Sequence, residues 1–333
     1  LIDINGAVDM SSTLATASTI TVTTGASTKA GSFVGNGIEV KHPTGASNLF
    51  IGTQSGNDVK IACIGAQSMR FDTNGVERLN IAADGAISTP TAGTSNVRLG
   101  VNAGDALASG GNQNVVVGDE AGTAMNTGSQ NSAFGYKALA AVTGADDNSA
   151  FGWEALKTNT SGTLNSAFGR SALTLNEGGS SNSAFGYAAL SNNSSGTFNT
   201  AVGRQAGLSV NTGVNNTLIG SLAGDAINTG SYNAAVGSSA LSATTIGVHN
   251  TSMGSDNMFT NILGSKSTAI GSGALYTQNP AGSSAVDMFN VAVGFNAGVS
   301  LTTAINSTLI GALAGDAITS GNDNLAVGKG ALT

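Results

Sequence analysis

The 333-residue sequence is poor in charge, proline, cysteine and aromatic residues. Charged residues make up 9% of the chain and aromatic residues 5%, and there are three prolines, one cysteine and two histidines. The twelve Lys and Arg residues are scattered singly, which argues against a basic surface for nucleic acid. No apolar run approaches the ~18 residues that a membrane-spanning helix needs, and no secretion leader is recognisable. We therefore expect no nucleic-acid partner and no membrane span.

Residues for catalysis and metal binding are equally scarce. Cys63 is alone and can form no internal disulfide, and no Cys or His pair has the spacing of metal ligands. His42 and His249 lie far apart in sequence, and the carboxylates are spread along the chain rather than paired. We expect no enzyme, no catalytic residue, no cofactor and no metal site within one chain. An ion held by Asn or Asp on the axis of an oligomer stays an open alternative.

Glycine, in contrast, is abundant, with 48 residues, and many of the glycines belong to an internal repeat. The motif Asn-x-apolar-apolar-Gly-x-x-Ala-Leu/Gly recurs in fourteen copies from Asn96 onward, with Ser267 and Ser307 in place of the Asn and Asn257 in place of one Ala. The step is 17 residues, except for 18 at the first step and 23 between Gly271 and Gly294. We number the Asn as position one, call each copy a rung, and call all residues at one position a column. The motif glycines are Gly100, Gly118, Gly135, Gly152, Gly169, Gly186, Gly203, Gly220, Gly237, Gly254, Gly271, Gly294, Gly311 and Gly328.

A 17-residue unit is too short for a helical repeat, which needs ~33 residues or more. It suits one rung of a parallel β-solenoid or β-roll, in which neighbouring rungs stack ~4.8 Å apart and fourteen rungs extend about 65 Å. A column of Asn side chains can then form hydrogen bonds along the stack. The repeat therefore predicts an all-β, elongated solenoid over residues 96–333.

Column four is always large and apolar, and we expect it to fill the interior of the rungs. Position nine is Leu or Met in some rungs and Gly in others, and position twelve becomes apolar wherever position nine is Gly. This exchange indicates that one large side chain is required in that part of each layer. The predicted core residues include Phe134, Phe151, Phe168, Phe185, Val202, Ile219 and Val236.

The Gly and Ala columns predict a flat strip of small residues that another chain can approach closely. We therefore expect a homotrimer, either intertwined or side by side. A monomeric solenoid, capped at both ends, is the alternative.

Residues 1–95 lack the 17-residue step and form a second predicted region, a β-rich shaft and hairpin region. Alternating apolar residues predict strands around Ile38 and around Val59, and Asn74-Gly75 between two apolar segments is typical of a hairpin. The first ~35 residues, rich in Ser and Thr, are expected to be an extended shaft segment. The boundary with the repeat array is expected around Pro90.

Column six contains the residues best suited to ligand binding. Aromatic rings and guanidinium groups bind sugar rings and anionic glycans, although a self-stacking structural ladder is the alternative. The insertion near residues 277–284 predicts a protruding loop on a binding face, or else a neutral bulge, and Tyr276 precedes it. The candidate glycan-binding residues are Tyr136, Trp153, Arg170, Tyr187, Arg204 and Tyr276.

Two segments resemble known fibre proteins. The run Ser68-Met-Arg-Phe-Asp-Thr-Asn-Gly-Val-Glu-Arg-Leu-Asn-Ile-Ala-Ala-Asp-Gly85 resembles a segment of tailed-bacteriophage tail fibre proteins that precedes an intramolecular chaperone. The Asn-Ser-Ala-Phe-Gly-x-x-Ala-Leu copies are similar to repeats in those fibres and to the head repeats of trimeric, YadA-like autotransporter adhesins. No chaperone start, Ser-Asp-x-x-Leu-Lys, follows Thr333, so we expect either a self-cleaved end or a truncation there.

The phage resemblance implies a homotrimeric virion protein that contacts other tail proteins. Such a protein attaches the particle to host cell-surface polysaccharide or lipopolysaccharide. The adhesin resemblance implies instead a bacterial surface adhesin or an extracellular filament subunit. In both cases the expected mechanism is multivalent, non-covalent contact.

Overall fold

The computed structural model describes residues 38–41, 48–53, 59–64, 69–73, 76–81, 87–88 and 95–333. These residues form strands and turns without a helix, so the predicted all-β class is confirmed for them. The strands are β1 Ile38–Lys41, β2 Asn48–Thr53, β3 Val59–Ile64, β4 Met69–Thr73, β5 Val76–Ile81, β6 Ile87–Ser88, β7 Val97–Leu99, β8 Val115–Val117, β9 Ser132–Phe134, β10 Ser149–Phe151, β11 Ser166–Phe168, β12 Ser183–Phe185, β13 Thr200–Val202, β14 Thr217–Ile219, β15 Ala234–Val236, β16 Thr251–Met253, β17 Gly264–Ser265, β18 Thr268–Ile270, β19 Val286–Asp287, β20 Val291–Val293, β21 Thr308–Ile310 and β22 Leu325–Val327.

The chain divides into two compact units, Leu1–Arg70 with Ile81–Ala86, and Phe71–Asn80 with Ile87–Thr333. Strands β1, β2 and β3 form an antiparallel sheet, and β4, β5 and β6 form a second three-stranded sheet. The strands predicted around Ile38, around Val59 and on both sides of Asn74-Gly75 are thus present. The Asn74-Gly75 turn, the segment around Pro90 and the expected N-terminal shaft lie outside the described residues.

The repeat array folds into a parallel β-solenoid. One strand from each rung joins a 14-stranded sheet, in which identical repeat positions pair, such as Ala150 with Ala167 and Phe151 with Phe168. The register survives the six-residue insertion, because Thr268 of β18 pairs with Val291 of β20. The predicted stack of 17-residue rungs is therefore confirmed.

The interior of the solenoid is built from columns three, eight and nine. Ala133, Ala138 and Leu139 of one rung are fully buried, as are their equivalents in most other rungs. Where position nine is Gly, the volume comes from position twelve, as in the buried Met125 and Ile227. The predicted exchange between positions nine and twelve is thus confirmed.

Column four was predicted to fill this interior, and that prediction is wrong. Its side chains point out of the rung, and Phe185, for example, is 40% exposed. Successive strand residues face opposite sides of a sheet, so the buried Asn at position one places position three inside and position four outside. The misassigned residues are all half-buried or exposed: Phe134, Phe151, Phe168, Phe185, Val202, Ile219 and Val236.

The trimer was predicted from a flat outer strip of Gly and Ala columns, and the inward direction of the Ala side chains shows that this reason is wrong. The Ala columns at positions three and eight lie inside the rung and offer no outer strip. The Gly column at position five serves the stacking of rungs instead. A Cβ on Gly186, whose φ is +139°, would lie 2.4 Å from the carbonyl oxygen of Gly203 in the next rung.

The buried Asn column at position one connects each rung to the next, as the sequence predicted. Asn182 Nδ2 donates to the carbonyl oxygen of Gly196 in its own rung (2.8 Å). Asn182 Oδ1 accepts a hydrogen bond from the backbone N–H of Asn199 in the following rung (3.0 Å). One amide therefore closes a turn and fixes the next layer, which explains why this residue type recurs.

Candidate functional site

The predicted glycan-binding residues of column six line up on the surface of five successive rungs. The rings of Tyr136 and Trp153 lie in contact, with centroids 4.4 Å apart and planes tilted by 41°. The Arg170 guanidinium lies over the Tyr187 ring, 5.9 Å from its centroid. Trp153 is 51% exposed and Tyr187 49%, while Tyr136 is half-buried. The 17-residue spacing thus brings these five residues together, and the column is both a ladder and an accessible surface.

A charged group holds the start of column six in place. Lys137 Nζ forms an ion pair with Glu120 (3.5 Å) and lies 5.0 Å from the centroid of the Tyr136 ring. The hydrogen bond with Tyr136, and then the charge of Glu120, raise the pKa of Lys137 above its ordinary value. These neighbours favour the charged form, so Lys137 stays a cation at neutral pH.

Two cations in column six remain available to an anion. Arg170 and Arg204 are exposed, and neither forms an ion pair within 4.0 Å with a carboxylate in the described ranges. Arg204 donates to the neighbouring amide of Gln205. Because guanidinium groups bind carboxylate and phosphate with two parallel hydrogen bonds, this part of the column fits an acidic sugar.

Tyr276, the sixth candidate, does not belong to this surface. It occupies position ten of its rung and stacks on Phe259, with ring centroids 5.2 Å apart. The insertion that follows it leaves residues 281–285 exposed, and a Cβ on Gly282 would meet nothing within 4 Å. Strands β17 and β19 pair on either side of the insertion. The insertion therefore extends from the surface and leaves the stack intact.

Column four forms a continuous apolar row outside the 14-stranded sheet. Its four phenylalanines stack face to face, with ring centroids 4.7 to 5.0 Å apart and planes within 10°. Aliphatic side chains such as Val202, Ile219 and Ile310 continue the row at 39 to 42% exposure. Monomeric proteins rarely leave so long an apolar row uncovered.

Column seventeen is a second exposed column, and it was not predicted from the sequence. Position seventeen, the last residue before the next rung begins, holds Tyr232, His249 and Lys266 in three successive rungs, and Phe289 takes the corresponding place after the insertion. Tyr232 and His249 have ring centroids 4.8 Å apart and nearly parallel planes, and Lys266 Nζ lies 5.3 Å from the centroid of the Phe289 ring. The signal in the sequence was the same 17-residue period that defines column six.

Other kinds of site are not seen in the described part of the chain. No three His, Cys, Asp or Glu side chains there are grouped as metal ligands. No helix there has the length and apolar character to cross a bilayer. No family model matches this sequence, and no match was found among curated proteins or among solved structures.

Proposed function

We propose that this protein is a non-catalytic fibre subunit of a phage tail, which assembles as a homotrimer and attaches the virion to glycan on the host surface. The observation that carries the proposal is the outer apolar row of column four along fourteen in-register rungs. It supports lateral association of parallel copies, and an extended assembly of this kind can present identical weak sites several times.

The apolar row favours a second copy of the same chain over an unrelated partner. Copies related by rotation about an axis parallel to the stack place identical rungs at the same height, so column four of one copy meets column four of the next. A row about 65 Å long and one side chain wide covers on the order of 600 Å² per copy, roughly three quarters of the ~800 Å² that a standard interface buries on each partner. Burial of the phenylalanine ladder supplies the driving force.

The five residues of column six support glycan attachment. Trp153 and Tyr187 offer ring surface, and Arg170 and Arg204 offer charge to a carboxylate or phosphate on polysaccharide or lipopolysaccharide. Each site is small and exposed, so the affinity depends on several copies binding together. Other tail proteins are the partners expected at the particle.

Light scattering of the purified protein tests the assembly. The wild-type chain is expected at three times its chain mass. A Phe168→Lys/Val202→Lys variant is expected at one chain mass with an unchanged circular dichroism spectrum, since both side chains are already exposed. Leu175→Lys, at an exposed apolar residue outside column four, is the matched control and should remain a trimer. A wild-type monomer would refute the assembly.

Binding to envelope fractions of candidate hosts tests the attachment. Trp153→Ala and Arg170→Ala are expected to weaken retention at least tenfold, whereas Leu175→Ala leaves it unchanged. Unaltered binding in both column-six variants would exclude this surface as the receptor contact. Mass spectrometry of purified virions tests the phage assignment, and a reducing-end assay after incubation with glycan tests the absence of catalysis.

A further inference from the structure

Columns seventeen and six flank the strand of every rung from opposite sides. Tyr232, the last residue of its rung, comes directly before the buried Asn233 of the next rung, and Ser238 comes directly after the turn at Gly237. The strand Ala234–Val236 lies between them, so the two positions are up to ~20 Å apart along the chain. Within one chain, side chains of the two columns have no reason to match in size.

Over the C-terminal half of the solenoid they nevertheless match. Large residues in column seventeen flank the same strand as a serine in column six of the following rung. The next strand is flanked by two exposed aromatic residues, the one after it by Asn306 and Ala312, and the last by opposite charges. The pairs, column seventeen first, are Tyr232 with Ser238, His249 with Ser255, Lys266 with Ser272, Phe289 with Phe295 and Asp323 with Lys329.

Column seventeen is held rigidly in this region. The backbone N–H groups of Tyr232, His249 and Lys266 each donate to a carbonyl oxygen of the preceding rung, at 2.9 to 3.1 Å. Lys266 also forms an ion pair with Asp287 at 2.6 Å. Tyr232 and Phe289 remain more than half exposed. These residues form a fixed ridge of aromatic and basic side chains, which we call the column-seventeen ridge (Tyr232, His249, Lys266 and Phe289).

Rotational symmetry supplies the partner for this ridge. Rotation about an axis parallel to the stack keeps equivalent rungs of neighbouring copies at the same height. The column-seventeen side of one copy then meets the column-six side of the next copy at that height. We propose that, in the trimer, the column-seventeen ridge of one copy packs into the shallow groove formed by Ser238, Ser255 and Ser272 of the next copy. The proposal rests on the trimer proposed above and assigns its contacts and register.

Column six differs between the two halves of the solenoid. Column six changes from large residues, which end at Arg204, to serine from Ser221 to Ser272. The aromatic and Arg half needs room that a closely packed neighbour would fill, whereas the serine half accepts a bulky ridge. We expect the ridge contact only along the serine half of column six, and ligand contact only where the neighbouring edge does not cover the first half.

Disulfide trapping tests the contact and its register. In a Cys63→Ala background, His249→Cys/Ser255→Cys is expected to give a covalent three-chain species after mild oxidation. His249→Cys/Ser221→Cys, offset by two rungs or ~10 Å, is the matched control, and its yield should be at least tenfold lower. A second matched pair, Lys266→Cys/Ser272→Cys, guards against a local folding defect.

The outcomes separate the two proposals. A trimer by light scattering in which neither matched pair cross-links would overturn the ridge contact while leaving the assembly intact. Equal cross-linking of matched and offset pairs, or a covalent species limited to two chains, would also overturn it. A monomer before oxidation would overturn the assembly itself and the ridge contact with it.

Discussion

At the scale of single residues, buried amides hold the rungs together. Except for Asn324 in the last rung, each Asn of column one satisfies one carbonyl oxygen of its own rung and one N–H of the next, and these Asn side chains are buried. A second amide ladder at position twelve connects Asn159, Asn176 and Asn193, and it ends where Val210 follows. Asn193 Oδ1 is left without a hydrogen-bond donor there. Polar residues inside this thin core therefore act as connectors.

Asn182→Ala is expected to destabilise the solenoid by about 2–4 kcal/mol, because two buried backbone groups lose their partners. Urea unfolding followed by circular dichroism measures the change. Asn192→Ala, at an exposed Asn of the same rung, is the control and should have little effect. Equal stability of the two variants would show that the ladder does not contribute.

Asp225 gives a pH-dependent prediction at the same scale. Burial raises the pKa of Asp225, although a hydrogen bond from Ser242 at 2.8 Å opposes the shift. The folded state thus holds its proton more tightly than the unfolded state, so stability falls as the pH rises from below 3.8 through the folded-state pKa. Asp225→Asn keeps an acceptor for Ser242 and removes the buried charge. We expect its Tm to exceed that of the wild type slightly at pH 7 and to match it at pH 3.

At the scale of the rung, volume is conserved across columns three, nine and twelve. Every rung with Leu or Met at position nine has Ala or Ser at position three. The rung of Gly224 carries Leu218 and Ile227 instead, and a Cβ on Gly224 would lie 2.7 Å from Leu218 Cδ2. The fully buried Leu218 at position three therefore also supplies core volume in this rung. The comparison of positions nine and twelve alone does not show this contribution.

Leu218→Ala is expected to cost about 2–5 kcal/mol through loss of buried volume. Gly224→Leu alone should also destabilise, because it clashes with Leu218 and Ile227. The triple variant Leu218→Ala/Gly224→Leu/Ile227→Thr copies the next rung (Ala235, Leu241, Thr244) and should recover most of the loss. Additive losses in thermal unfolding would contradict this coupling.

These elements show what the sequence could and could not predict. The period, the parallel register and the Asn ladder follow from spacing and residue type, and all three are confirmed. The direction of column four was predicted wrongly, because large apolar residues are usually assigned to the core. The interior of a rung is only one side chain deep, so the small Ala of column three fills it and column four faces outward. The stacking of column six follows from the period, but the neighbours of Tyr276 depend on its position within the rung.

At the scale of the whole molecule, the rungs are interchangeable units. Each one contacts mainly the rungs above and below, so stability is close to a sum over neighbours. Deletion of residues 182–198 removes one complete rung and joins Ser181 to Asn199, which restores the sequence of a normal junction.

We expect the 17-residue deletion to fold with a β-type circular dichroism spectrum and a Tm within a few degrees of the wild type. Deletion of Ala184 alone, inside the strand of its rung, should cause aggregation or much earlier melting, because a one-residue shift within a strand exchanges its inner and outer faces. Similar melting curves for the two deletions would contradict the layered architecture.

A stack of near-identical layers brings a hazard during folding, because a half-formed array can dock on the wrong neighbour with little loss of energy. The irregular rungs reduce that ambiguity. Asn257 Nδ2 donates to the carbonyl oxygen of Ala269 in the next rung, and Gln278 Oε1 accepts a hydrogen bond from Asn290 in the rung after its own. These hydrogen bonds form only when those particular rungs are neighbours. The irregular rungs therefore fix the register in which the other rungs stack.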